Sequence, residues 1–88
     1  MSELNLRSEL KSVIAEITEV DDFSDDANFV TDLGVDSMLA LEIVARIEKR
    51  YHIRIPEDRF VELQTLDAAE AVVADLLQQT ALLRQGQR

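Results

Sequence analysis

Residues 32–51 read DLGVDSMLALEIVARIEKRY, and the organisation of the chain can be worked outward from them. Asp is a preferred N-cap, so a helix is expected to begin at Asp36-Ser37 and to run through Tyr51. Stepping about 100° per residue from Ser37, the side chains of Ile43, Val44, Ile47 and Tyr51 share one sector, which is the core face. Met38, Leu41 and Ala45 fall on the other side with Ser37, flanked by Glu42 and Glu48. A helix packed along one stripe has no folding need of a second. An apolar strip with a charged rim suggests a docking surface. The competing account is that Met38 and Leu41 pack beneath the preceding loop.

Ser37 stands where a helix begins, and there free backbone N–H groups and the helix dipole favour a negative group. A phosphodiester attached to its hydroxyl would be well placed. The plainer account is that Ser37 only caps the helix. Asp36 already offers a capping side chain, which leaves Ser37 available.

Upstream, Leu6, Leu10, Val13, Ile14 and Ile17 recur at helical spacing and predict an amphipathic helix over about residues 3–19, ended by Asp21-Asp22. Residues 20–36 show no period. They form a long connection for so small a domain, and Phe23, Phe29, Val30 and Leu33 are expected to pin it to the core. Gly34 supplies a turn that needs positive φ.

Downstream, Ile53 and Pro56 break the helical pattern, and residue 55 is biased to an extended backbone. Pro56 suits the first turn of a short third helix over about residues 57–63 that buries Phe60 and Leu63. Thr65 is expected to cap a fourth helix with a core face of Ala69, Val72, Val73, Leu76 and Leu77. The expected fold is all-α: a four-helix bundle with three longer helices, one short third helix and a long loop between the first two. Residues 1–83 are read as one domain and 84–88 as a frayed tail.

Composition agrees. With 88 residues, two Gly, one Pro and abundant Ala, Leu, Glu and Gln, the chain has room for one core and little material for hairpins. There is no cysteine, hence no disulfide, thiolate nucleophile or Cys-based metal site. The apolar runs are too short for a membrane span. The acidic opening Met1-Ser2-Glu3 is unlike a signal peptide, so the cytoplasm is the expected compartment. A net charge of −9 argues against nucleic acid. Residues 1–36 hold ten acids and two bases, while residues 37–88 hold eight acids and seven bases. Such acidity serves solubility, or steers the chain toward basic partners.

Asp36-Ser37-Met38, preceded by Asp32-Leu33-Gly34 and followed by the helix to Tyr51, resembles the acyl carrier proteins. The resemblance extends to Ile55-Pro56, the short third segment and Thr65-Leu66, and so covers nearly the whole chain. It implies that a 4′-phosphopantetheine arm is esterified to Ser37 and holds acyl groups as thioesters, for fatty acid or related lipid or polyketide biosynthesis. It also implies a monomer that works with a phosphopantetheinyl transferase and with acyl-loading and acyl-processing enzymes. Asp36, Met38 and Glu42 match positions that family members present to partners, and the face with Leu41, Ala45 and Glu48 is expected to join them. In the family the core between helices often shelters the acyl chain.

The chain departs from its family in charge. Residues 37–55 hold Glu42 and Glu48 against Arg46, Lys49, Arg50 and Arg54, and Leu39 stands where many relatives have a polar or acidic residue. These departures point toward a specialised carrier, whose partners would set acidic groups against Arg46 or Lys49.

Three other readings compete. A hydrolytic enzyme would need a base and an oxyanion hole beside Ser37, but the only histidine, His52, lies fifteen residues on, and no Gly-x-Ser-x-Gly elbow surrounds the serine. A calcium loop started at Asp21 puts Phe23 at the third ligand position and Asp32 where a bidentate Glu belongs; started at Asp22, it ends on Leu33. No metal site is expected. A helical interaction module without a prosthetic group, or a carrier of amino acids of the peptidyl or D-alanyl type, remains as the alternative function.

Overall fold

The computed structural model describes residues 3–86, with side chains from Leu6 to Thr80. In chain order it holds α1 (Glu3–Thr18), α2 (Ser37–Tyr51), a 3₁₀ helix (Glu57–Glu62) and α3 (Leu66–Gly86), with no strand among the described residues. The principal contacts are α1 with α2, α1 with α3, and the 3₁₀ helix with α3.

The expected stripes make the core. Leu6, Leu10, Val13 and Ile14 of α1 are buried with Ile43, Val44 and Ile47 of α2 and with Leu66, Ala69, Val72, Val73 and Leu76 of α3. Ile17, Tyr51 and Leu77 are half-buried at its edge. Removing apolar surface from water is the main stabilising term, about 25 cal/mol per Å².

The loop over residues 19–36 is tied down throughout. Glu19 takes a left-handed conformation (φ 61°), which stops α1. Phe23 and Phe29 are buried and meet edge to face, with ring centroids 6.4 Å apart. The Asn28 side chain accepts from the N–H groups of Val30 and Thr31, and the N–H of Asn28 donates to Asp32. The Phe29 N–H donates to Gln64 O (2.8 Å), and that of Asp67 to Asp25 O (3.1 Å), so the loop is stitched to the start of α3. Gly34 has φ +73°, a conformation glycine adopts freely. Arg7 adds a second tie, reaching Asp25 of the loop and Asp67 and Glu70 of α3. These hydrogen bonds and carboxylates hold its proton more firmly than usual.

Two expectations need correction. Val30 does not pin the loop: it is 61% exposed, because the Asn28 turn presents it outward. Val35, overlooked in an aperiodic stretch, is buried instead. The short third helix is present and of 3₁₀ type, but Leu63 only follows it as a cap, and Phe60 and Leu63 are half-buried, not buried. The last helix is described to Gly86, and Gln87 and Arg88 of the expected tail lie outside the described residues. The Thr65 cap is present, its hydroxyl accepting from the Ala68 N–H at 3.1 Å.

Candidate functional site

The start of α2 shows who caps and who is spare. Asp36 has an extended backbone (φ −96°), and its carboxylate accepts from the Leu39 N–H at 2.8 Å. The next residue, Ser37, is exposed and opens the helix. Its hydroxyl stands at the end where the first-turn N–H groups and the positive end of the helix dipole are concentrated.

Beside Ser37 lies an apolar groove of about 300 Å³, with this serine contributing to its rim. One wall is α2, through Ala40, Leu41, Ile43 and Val44. A second is the loop, through Phe29, Val30 and Val35; the third is Phe60 and Leu63 beside the 3₁₀ helix. Ser37 is the only polar residue of the lining. This volume sits at the small end of ligand pockets, roughly 300–1,000 Å³. The lining of the groove was not foreseen, since three separate stretches of chain build it. One signal was available: Val35 and Ala40 stand on either side of the Asp36 cap at hydrophobic-staple positions, and both line the groove.

Of the residues expected on a docking face, Met38 is 76% exposed and Leu41 60% exposed, and Glu42 and Ala45 are exposed as well. Packing beneath the loop is therefore excluded for Met38 and Leu41. Val30 and Val61, the other large exposed apolar side chains among the described residues, sit in the groove wall and next to Phe60. Glu48 is engaged within the fold, where its carboxylate accepts from the Ile55 N–H at 2.8 Å and brackets the chain after α2. Asp36 is occupied in the cap.

The basic residues of α2 are all exposed, and two of them pair with acids of α1 while Lys49 stands in solvent. Arg46 pairs with Glu16 of α1, and Arg50 lies 3.6 Å from Glu9, which accepts from the Tyr51 hydroxyl at 2.8 Å. Partial burial, and then the bond to Glu9, push the Tyr51 hydroxyl up to about 12. Arg46 is thus engaged with α1 by a surface ion pair.

His52 caps the opposite end of α2 in a left-handed conformation (φ 57°), its N–H bonded to Glu48 O. At 1.5 Å per residue it lies roughly 22 Å along the helix from Ser37, out of reach as a base. Among the described residues no cluster of three or more His, Asp or Glu could hold a metal ion. The loop acids are engaged separately, Asp22 with Lys11, Asp25 with Arg7 and Asp32 with the Asn28 N–H. Nor is any helix among them long and apolar enough to cross a membrane.

The chain matches the family described as "Phosphopantetheine attachment site" over residues 8–73. It is 33% identical to "Polyketide-8 synthase acyl carrier protein 2" of Streptomyces avermitilis over 76 residues, which is 84% of this chain and 87% of that protein. It is 36% identical to the "Acyl carrier protein" of Streptomyces coelicolor over 76 residues, 83% of each chain. With the "Anthracycline acyl carrier protein DauA" of Streptomyces sp. (strain C5) it shares 39% identity over 69 residues, 74% of this chain and 81% of that one.

Proposed function

Because the chain belongs to the acyl carrier protein family, we propose that Ser37 bears its phosphopantetheine arm and that the groove beside Ser37 shelters the acyl chain. The protein is a carrier and not an enzyme, and phosphopantetheine is its prosthetic group. When bound, that group supplies the thiol that a cysteine-free chain lacks. The observation that carries the assignment to Ser37 is the division of labour at the start of α2. Asp36 caps, and the neighbouring hydroxyl is exposed at the rim of an apolar groove. The surrounding residues fit the arm: first-turn N–H groups favour a phosphodiester's charge, and open space lies on the groove side.

The lining bears on cargo. A reduced acyl chain finds only apolar walls beyond Ser37. A poly-β-keto chain would bring carbonyls that leave water without a donor, at about 1–3 kcal/mol each. The favoured cargo is therefore a reduced acyl chain, as in fatty acid or related lipid synthesis. In a polyketide pathway, such as two relatives' names describe, keto groups would stay outside the groove. Phosphopantetheinyl transferase and the acyl-handling enzymes would meet the exposed face of Met38, Leu41, Glu42 and Ala45. With Arg46 paired to Glu16, the specialised character of the carrier rests on this apolar face and on exposed Lys49. We place the monomeric carrier in the cytoplasm, a reading the cysteine-free composition supports.

Intact mass after incubation with coenzyme A and a broad-specificity transferase tests this. One phosphopantetheine should be added, mapping to Ser37, and Ser37→Ala should abolish the addition while keeping a cooperative melt. A wild-type protein left unmodified by several transferases would mean that Ser37 is not the attachment point.

A further inference from the structure

The three walls of the groove are not equally firm. The α2 wall includes Ile43 and Val44, which belong to the core. The loop wall is stitched by the Asn28 turn and by the bond from Phe29 to Gln64. The third wall stands on the 3₁₀ helix, in which no residue is buried and Val61 is 70% exposed. Its flanks are tethered by the Ile55 N–H on Glu48 and the Gln64 carbonyl to Phe29.

Between the tethers, among the described residues, one polar contact joins this helix to α3. The Arg59 guanidinium grips Glu62 of its own turn with Nε (2.8 Å) and Nη2 (3.3 Å), and donates from Nη1 to Asp75 of α3 (3.0 Å). The Gln79 side chain donates to the same Asp75 oxygen at 3.2 Å and orients it. A planar guanidinium with donors in a fixed fork can hold both carboxylates at once, whereas an ammonium acts as a point charge.

We propose that Arg59 is the positioning residue that sets the length of chain the groove accepts, by latching its one compliant wall to α3. The inference rests on the groove being the acyl shelter proposed above. With the latch closed, at roughly 30 Å³ for a group the size of a water or methylene, the cavity takes on the order of ten such groups. A longer chain must displace Phe60 and Leu63, and that motion pulls Arg59 from Asp75.

The test loads wild type, Arg59→Gln, Asp75→Asn and the double variant with a straight-chain series from butyryl to palmitoyl, and reads the rise in Tm over the bare-arm form. In wild type the rise should level off near ten carbons; in both single variants it should continue to longer chains. The double variant should match the singles, since one contact is lost in each case. Arg59→Lys should fall between wild type and Arg59→Gln. A second readout needs no arm. The unmodified latch variants should bind an apolar fluorescent dye about threefold more tightly than unmodified wild type. Levelling-off at one chain length in every protein, or equal dye binding, would overturn the latch. Those results would leave the shelter standing wherever Tm still climbs with chain length. A Tm indifferent to chain length in wild type would remove the shelter itself, and dye binding would then decide the latch alone.

Discussion

The two flanks of α2 are closed by opposite means. Toward α1, fully buried Ile47 shares the core with Leu10 and Ile14, and the seam is stapled above by Arg46–Glu16, Arg50–Glu9 and Tyr51–Glu9. Toward the 3₁₀ helix there is a groove of about 300 Å³ whose far wall holds no buried residue. One flank uses packing and charge to stay shut. The other leaves apolar surface unfilled beside the hydroxyl at the helix start. Stability is housed in the α1–α2 seam, and the shelter proposed above lies in the gap opposite.

This contrast can be broken by substitution. Ile47→Ala, at a side chain with no exposed surface, should cost about 2–5 kcal/mol, read as an earlier chemical or thermal midpoint. Leu63→Ala, in the groove wall, should cost the bare protein less than half as much. Equal losses would mean that the groove side is core after all. Next in size, Ala40→Trp should fill the groove from its exposed α2 wall. The variant should melt no lower than wild type yet lose the gain of about 0.8 kcal/mol that each sheltered methylene brings. A loaded variant that still gains stability with chain length would place the cargo elsewhere.

A smaller effect is expected at the stapled seam. Tyr51→Phe removes a hydroxyl bonded to a carboxylate and should cost about 1 kcal/mol at neutral pH. The folded protein holds the Tyr51 proton up to about pH 12, against about 10 when unfolded. Its contribution is therefore complete below pH 10 and disappears as pH rises from 10 to about 12. Wild type and variant should converge over that interval, and melts that stay equally spaced through it would show that Glu9 does not hold the hydroxyl. Smallest of all, Arg46→Glu sets a carboxylate against Glu16 on an exposed surface and should cost up to about 1 kcal/mol at low salt, fading as salt is added. A change in transferase loading that outlasts high salt would show Arg46 acting on a partner and not on α1.

Much of the scaffold could be read without coordinates, because helices announce themselves by period and cap. Asp36 predicted the start of α2, and the carboxylate is bonded to the Leu39 N–H as a cap requires. Phe23, Phe29 and Gly34 predicted a pinned and turned loop. Val30 and Val35 were harder, since no period orders residues 20–36 and an Asn28 side chain decides which of them turns in. The short third helix was legible, but not the burial of its apolar residues. Tertiary contacts, not local spacing, set how deeply Phe60 and Leu63 are covered. Glu48 shows the same limit, since the helix pattern placed it on a rim while its bond to the Ile55 N–H depends on where the chain turns after α2. The exposed strip of Met38 and Leu41 was legible; the groove was not, because it has no sequence of its own.

The 3₁₀ helix buries no residue, and this gives residues 57–62 an unusual standing in descent. Surface substitutions away from buried or strained positions usually change stability by no more than about 0.5 kcal/mol. Replacements at its exposed positions, Glu57, Asp58, Val61 and Glu62, can accumulate while the three long helices keep folding. Related chains could thus drift apart in the surface they show beside the groove, and a library confined to these four positions would sample that surface without sampling unfolded chains.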